Sequence, residues 1–569
     1  YFPTGTYAID SYLPTLQDVR ILGDGMDLST ITSHQTFTGE NDYAALVRSV
    51  YRTKLEDITL DAGLYKSYSS VLVMPSANDT SNRLLCERVR FTMEDAPIMD
   101  SGSKLLELAH LDDVTFKDCE FITGKSLFHG NSTNVLYDGC DLYGMLDNPL
   151  FVVTWGGQNI SMTDCTAQNL DNSDPRSWKG WSKGRVFHGG GAWGPMKNTY
   201  FGGCTSHDFV PRDPVAWTTA NPVSVSSASF VFASNDLVAV DGNIPNKYAR
   251  VISGTGANDD EWNVISNINR STGVVTLETT WESLPDTSSS IEIIDRIQNR
   301  NTGEQWMFEF TDTKYRGMAT TGTASTVVLT GLTNNYNGLV VVVTDGRGVG
   351  QSRVVSGDSS GGTVSITSPW DVIPDASSLV SIGTYVYRGA VYGNNLDGTT
   401  LAVEGVDHVA TEGVSTYGGS LEICVEDNVF HELRYGISVW GLPTKASDYN
   451  DGTYVSRPNI FGHYVDNVFD DCRAGGRIVA KKFTPQLIDR SIFGHVYRRN
   501  TVTNSYTDAL IYEVEADGLM GMQVFDNNII VEFDRFMQDA DGLADQVWIN
   551  NSVTSLNNGV AMSISDGHY

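Results

Sequence analysis

Short runs in which apolar and polar residues alternate recur along this chain, each broken by a polar pair and then resumed. "VTFKDCEF" (Val114–Phe121), "VLYDGCDL" (Val135–Leu142), "ISMTDCTA" (Ile160–Ala167) and "TYFGGCTS" (Thr199–Ser206) share one phrase, with a cysteine in one fixed slot. A period of two predicts strands, and no stretch carries the 3.6-residue stripe of an amphipathic helix. Beyond residue 400 the phrase returns with asparagine in that slot, as "CVEDNVF", "HYVDNVF", "VYRRNTV", "VFDNNII" and "VWINNSV", placing Asn428, Asn467, Asn500, Asn528 and Asn551. The repeat interval is roughly 20–40 residues, the range of solenoid units that cannot bury their own apolar faces. Strand, turn, strand and loop with no intervening helix predict an all-β chain, a right-handed parallel β-helix.

Stacked coils bring equivalent side chains to about 4.8 Å, so a repeated residue forms a ladder. Thiols pack on thiols, and an asparagine can bond the coils above and below, satisfying turn backbone that would otherwise be buried and unpaired. Cys119, Cys140, Cys165 and Cys204 are therefore expected inward, unbonded and structural. Seven cysteines at these spacings match no zinc signature, and neither metal nor cofactor is expected.

Between the two sets of coils the phrase disappears. "TGVVTLETTWESLPDTSSSIEI" (Thr272–Ile293) resembles "GGTVSITSPWDVIPDASSLVSI" (Gly361–Ile382), with Trp281, Pro285 and Asp286 matching Trp370, Pro374 and Asp375. Two related β modules are expected, at 223–294 and 323–382, with β-helix coils at 1–222, 295–322 and 383–569. Their role is either a lid or spacer, or a carbohydrate-binding flap beside a groove.

Composition narrows the function. Abundant glycine (55 residues) suits a turn-rich β protein, and the net charge of −31 opposes nucleic acid, whose phosphates it would repel. No apolar run is long enough for a membrane-spanning helix. The first residues, "YFPTGTYAID", have no signal-peptide character and start in strand-like sequence, so a domain trimmed from a longer chain is expected.

"PTGTYAIDSYLPTLQDVRILGDGMDLSTI" (Pro3–Ile31) resembles the opening coils of the pectate-lyase-like superfamily. The long irregular coils and inserted modules look most like bacteriophage tailspike depolymerases. That resemblance implies a homotrimer on a virion tail that cleaves a bacterial surface polysaccharide; a secreted polysaccharide lyase is the alternative location and chemistry. These enzymes share an architecture rather than a catalytic motif, so site residues must come from the sequence itself.

The loop "DPRSWKGWSKGRVFHGGGAWG" (Asp174–Gly194) offers Trp178, Trp181, His188 and Trp193 for sugar binding, or else folds on its own aromatics. Trp440 and Lys481 complete the substrate-binding expectation. Glycosidic chemistry needs two carboxyl groups, and neighbouring coils would hold them about 5 Å apart, alternate coils about 9.5 Å. "WMFEFTDTKYRG" (Trp306–Gly317) and "LAVEGVDHVATEG" (Leu401–Gly413) flank the second module and supply Glu309, Asp312, Glu404 and Asp407 as catalytic candidates. For any one of them the competing role is a solvated, paired surface charge. Arg473, Arg477, Lys481, Lys482, Arg490, Arg498 and Arg499 form a basic patch, either an anionic-sugar site favouring β-elimination or partners for nearby acids. Depolymerase, non-catalytic receptor-binding spike and purely structural solenoid adhesin are the three competing functions, with hydrolysis placed ahead of elimination.

Overall fold

The computed structural model describes residues 1–11, 13, 16–33, 44–47, 50–62, 69–74, 83–92, 105–122, 126–143, 150–168, 185–207, 216–233, 237, 247–256, 262–277, 280–281, 283–295, 304–309, 311–398, 412–445, 454–480, 490–503, 505–514, 519–531, 533–539, 546–554 and 563–564. Its extended elements are all strands, and those of the coils pair in parallel from one coil to the next. The chain is a parallel β-helix.

Each coil contributes to three parallel sheets. The first holds long strands such as Asp112–Lys117, Gly157–Thr163, Met196–Gly202 and Val386–Tyr392. The second holds three-residue strands such as Glu120–Ile122, Thr205–His207, Asn395–Asp397 and Val429–His431. The third runs through Leu106–Ala109, Ser126–Gly130, Leu150–Trp155, Arg185–Gly190, Glu304–Glu309, Glu412–Tyr417, Tyr435–Lys445 and Ala474–Ala480.

The repeated phrase is the corner between the first and second sheets. The residue before its cysteine or asparagine slot adopts positive φ in coil after coil: Asp118, Gly139, Asp164, Gly203, Gly393, Asp427, Asp466, Arg499, Asn527 and Asn550 all lie near +50° to +66°. Gly, Asn and Asp tolerate that region best, which explains the polar pair in the sequence. Arg499 is the costly exception, and Asp466 of the preceding coil holds its guanidinium through two bonds of 2.7 and 2.5 Å.

The next residue points inward, and the cysteine and asparagine series form one column. Thr205, Asn395 and Val429 donate their N–H groups to the carbonyls of Cys165, Cys204 and Asn394. Asn394, which the repeat reading passed over, is the junction: its Oδ1 accepts the N–H of Cys204 at 2.8 Å. From there each Nδ2 donates to the next Oδ1, Asn394 to Asn428 to Asn467 to Asn500 to Asn528 to Asn551, at 2.8–3.1 Å. All four ladder cysteines are free and buried. Above the asparagines runs an aromatic column, Tyr464, Tyr497, Phe525 and Trp548, stacked at 4.7, 4.9 and 4.1 Å. Offset stacking adds to the area that these rings bury.

Two antiparallel sheets interrupt one coil. Seven strands between Ala216–Ala220 and Ser290–Asp295 follow the second-sheet strand Thr205–His207; six strands between Thr313–Thr323 and Leu379–Gly383 follow the third-sheet strand Glu304–Glu309. Both sheets start upstream of residues 223 and 323. They share a local device: Asp286 and Asp375 accept from the N–H groups of Ser288 and Ser377, and their own N–H groups donate to the hydroxyls of Ser289 and Ser378. The first module has its own apolar core around Phe230, Trp281 and Ile293. The second has a core around Trp370 and a further cluster in which Val340 and Val342 pack on Tyr385, Tyr387, Leu421, Ile460 and Phe493. Those last residues belong to the flank of the first sheet. The docked face of this module thus lies on a different sheet from Glu309, while Asp312 stands at the module's root, where its carbonyl accepts the N–H of Thr384.

Candidate active site on the third sheet

Strand alternation places the chemistry. Phe187, Trp306 and Phe308 enter the main core cluster, so His188, Met307 and Glu309 face out. The register gives two outward columns. One runs Gly130, Trp155, Gly190, Glu309. Tyr417 follows Thr416, the partner of Phe308, and pairs with Trp440. The other column runs His188, Met307, Ser415, Ser438, Arg477.

Glu309 ends its strand beside His188, whose Nε2 lies 3.3 Å from Glu309 Oε2. His188 is only 2% exposed while the carboxylate keeps 27%, so the imidazole is a covered partner of the acid rather than a sugar-facing ring. Asp312 follows at the root of the second module. Its Oδ2 takes the Lys314 ammonium at 2.6 Å, and its buried Oδ1 has no hydrogen-bond partner among the described residues. Arg457 lies within electrostatic range of both acids. It stands on Tyr454–Arg457, which folds back antiparallel on Tyr435–Lys445 opposite Leu442, and its Nη1 donates to the carbonyl of Thr311 at 3.4 Å. Burial pushes this guanidinium below its usual range, while the charges of Glu309 and Asp312 work against that shift. One imidazole, two carboxylates and one guanidinium thus converge at the end of a single strand.

The aromatic groups divide into two kinds. Trp193 is 46% exposed. Its indole lies across Gly130, where a Cβ would come within 2.1 Å of the ring, with edge contacts to Phe128 and Trp155 at 5.4 and 5.5 Å. Only glycine leaves room for that indole, which sits about 14 Å, three rungs of about 4.8 Å, from Glu309. Trp440 differs. Tyr417 stacks on it at 5.4 Å and 18°, and the Arg477 guanidinium lies over the ring at 4.6 Å. With its indole N–H fixed on Ser438 Oγ at 2.8 Å, Trp440 has neither face open for a sugar. The expected stacking role of Trp440 is corrected to a structural one.

The structure thus brings together Glu309, Asp312 and His188, with Trp193 on the same outer face. Trp178, Trp181, Glu404, Asp407 and Lys481 lie outside the described residues. Within the basic patch, Arg498 pairs with Asp526 and Arg499 with Asp466, which is the paired reading. Sequence reasoning missed Arg457 and Trp155. Trp155 could have been found by aligning the third strands, "FVVTW" on "RVFHGG" and "QWMFE"; nothing in "YVSRPNI" marks Arg457, because a hairpin outside the repeat delivers it.

Among the described residues, one group has ligand atoms close enough for a metal: Asp397, His431 and Glu432, all within 4.8 Å. It lies at the second sheet. His431 Nδ1 is 3.1 Å from Asp397 and Nε2 is 3.9 Å from Asp470, an arrangement that an ion-paired imidazolium also satisfies.

The chain matches no family model and no curated protein. Solved structures that it resembles include the catalytic domain of a GH87 alpha-1,3-glucanase in complex with nigerose (8% identity, TM-score 0.35, covering 100% of this chain and 64% of that one). Others are the A-module of a mannuronan C-5 epimerase from Azotobacter vinelandii (10%, 0.37, covering 100% and 89%) and PfbA, a surface adhesin of Streptococcus pneumoniae (10%, 0.33, covering 100% and 84%). The chain spans 64% of the glucanase's length.

Proposed function

We propose that this protein binds and depolymerises a bacterial surface polysaccharide lying along the outer face of the third sheet, by hydrolysis of a glycosidic bond at Glu309 and Asp312. The observation that carries this reading is the convergence of His188, Glu309, Arg457 and Asp312 on the same outer face as an exposed indole, Trp193.

The chemistry follows from the groups present. One carboxyl gives its proton to the glycosidic oxygen as the C–O bond breaks. The other takes a proton from the attacking water, or adds to the anomeric carbon and is released by water in a second step. His188 positions Glu309, and the charge of Arg457 bears on both acids; Glu404 and Asp407 remain candidates from the same reading. β-Elimination is the second reading, favoured by a guanidinium and an imidazole beside the acid. A phage tailspike, trimeric on the virion tail, is the biological setting that we propose.

The test is incubation with a panel of purified bacterial surface polysaccharides. New reducing ends without ultraviolet-absorbing unsaturated uronates support hydrolysis, and unsaturated products support elimination. Binding without any shortening of the polymer means a receptor-binding spike instead.

A further inference from the structure

Trp193 and His110 stand at the N-terminal end of the same outer face, away from the chemistry at Glu309. The Trp193 indole lies over Gly130, and the register from Gly130 through Trp155 and Gly190 to Glu309 sets it three rungs, about 14 Å, from the acid. His110 belongs to the coil before Gly130: it follows Ala109, the strand partner of Gly130. It fills a corner of positive φ that the next two coils give to Asn131 and Gly156, and there its side chain is exposed. The two rings are nearly parallel, 12° apart, with centroids at 6.3 Å, against 4.1 Å for the fully stacked Phe525 and Trp548. His110 therefore does not cover the indole, and Trp193 keeps 46% of its surface exposed. Among the described residues, neither the Trp193 indole N–H nor an imidazole nitrogen of His110 meets a hydrogen-bond partner. The backbone beneath is fixed. Asn131 Nδ2 donates to the Trp193 carbonyl at 3.2 Å, a Cβ on Gly156 would collide with Asn131 Oδ1 and crowd the Gly194 backbone, and Phe128 and Trp155 meet the indole edge-on.

We infer that Trp193 and His110 form a distal sugar subsite: the indole stacks on the C–H face of a pyranose several sugars from the cleaved bond, and His110 exchanges a hydrogen bond with one of its hydroxyls. Aromatic faces with a polar group at the rim suit a ligand that is apolar on one side and hydroxylated at its edge. The inference rests on the proposed polysaccharide groove and names the substrate class that the groove selects, a chain long enough to reach from Glu309 to Trp193. His110 is then a specificity-determining residue, and Asn131 and Gly130 position the indole.

The experiment uses the whole protein, a bacterial surface polysaccharide that the wild type shortens, and a ladder of oligosaccharides prepared from that polymer by partial acid hydrolysis. The wild type should cut long oligomers with a higher kcat/KM than short ones. Trp193→Ala should lower kcat/KM on the polymer by about 10- to 100-fold, the range for truncating an aromatic anchor, and flatten the dependence on chain length. The loss should fall in KM rather than kcat, because a stack far from the reacting bond binds ground state and transition state alike. Gly130→Ala, whose Cβ would displace the indole without removing it, should give the same pattern. His110→Ala should lose less, and His110→Gln, which keeps a hydrogen-bonding edge, should recover part of that loss. A wild type indifferent to chain length, a Trp193→Ala protein with unchanged KM on the polymer, or a loss equal on long and short oligomers overturns the subsite while leaving the depolymerase intact. A wild type that shortens no polysaccharide removes the groove reading and this inference with it.

Discussion

Asn467→Ala in the middle of the ladder isolates the interaction that sets the repeat. Asn467 Oδ1 accepts from the backbone N–H of Asn428 at 3.1 Å and from its Nδ2 at 2.9 Å; its own Nδ2 donates to the Val425 carbonyl at 2.9 Å and to Asn500 Oδ1 at 3.0 Å. After truncation Asn428 Nδ2 still has the Val391 carbonyl, and Asn500 Oδ1 still has the N–H of Asn467. The fully buried N–H of Asn428 loses its acceptor. An orphaned buried group costs about 1–3 kcal/mol and the vacated volume adds to that, so about 2–4 kcal/mol is expected. Asn467→Cys should cost less, because upstream in this column a thiol replaces one of these bonds: Cys140 Sγ donates to the Phe116 carbonyl of the preceding coil as Asn467 Nδ2 does to that of Val425. A solenoid this long is a poor two-state system, so the assay is local: hydrogen exchange at the Asn428 amide. Asn467→Ala should speed it by about 30- to 1000-fold, with Asn467→Cys clearly slower than the alanine variant. Exchange within a few-fold of wild type, or a cysteine variant as fast as the alanine one, would refute the ladder as the source of stability.

Other predictions follow from the same geometry. Burial raises the thiols of Cys140 and Cys472, the latter to about 12, whereas half-buried Cys424 is raised only to about 11; a native-state thiol probe should label Cys424 first, and rapid labelling of all four ladder cysteines would contradict their burial. Excision of the first module (Ala216 to Asp295) should leave the coils' melting temperature nearly unchanged, because its core is self-contained. Excision of the second (Thr313 to Gly383) should lower it, since exposing side chains such as Leu421, Ile460 and Phe493 costs about 1.5–3 kcal/mol each; equal effects would show that the docked cluster contributes nothing. Burial disfavours the His431 imidazolium, but the hydrogen bond it donates to Asp397 and the charges of Asp397, Glu432 and Asp470 outweigh it and raise its pKa. A raised folded-state pKa stabilises fully below the unfolded value and is lost as pH rises through the folded one, so His431→Gln should cost more stability at about pH 5.5 than at about pH 9; no difference removes the ion-pair reading.

The corners of the fold were legible because one backbone conformation repeats. Positive φ at the residue before each ladder position selects Gly, Asp or Asn, and the buried slot after it selects a small thiol or an amide; both choices are written in the sequence. Asn394 was missed because the large insertions displace it far from the neighbouring repeats. A second ladder, Asp113, Asn134, Asn159 and Asn198, bonded side chain to side chain at 2.8–3.2 Å on the outside of the first sheet, was also overlooked. There the repeated residue is exposed and reads as ordinary surface. In the site, Glu309 and Asp312 stood out as acids in an apolar strand and at its end. Their cationic neighbour, Arg457, arrives from a hairpin that breaks the repeat. Trp440 misled for a related reason: composition marks an indole as a platform, but only the positions of Tyr417 and Arg477 reveal that both its faces are taken.

The central claim is that Glu309, paired with His188 and in the field of Arg457, performs the chemistry on a bound polysaccharide. It is tested most directly by Glu309→Gln, which keeps the size and hydrogen-bonding edge of the side chain but can neither give nor take the proton. On a polysaccharide that the wild type shortens, this variant should bind with unchanged affinity and release reducing ends about 10²- to 10⁴-fold more slowly. Release at the wild-type rate, with the polymer still bound, would contradict the account and move the chemistry away from the third-sheet groove.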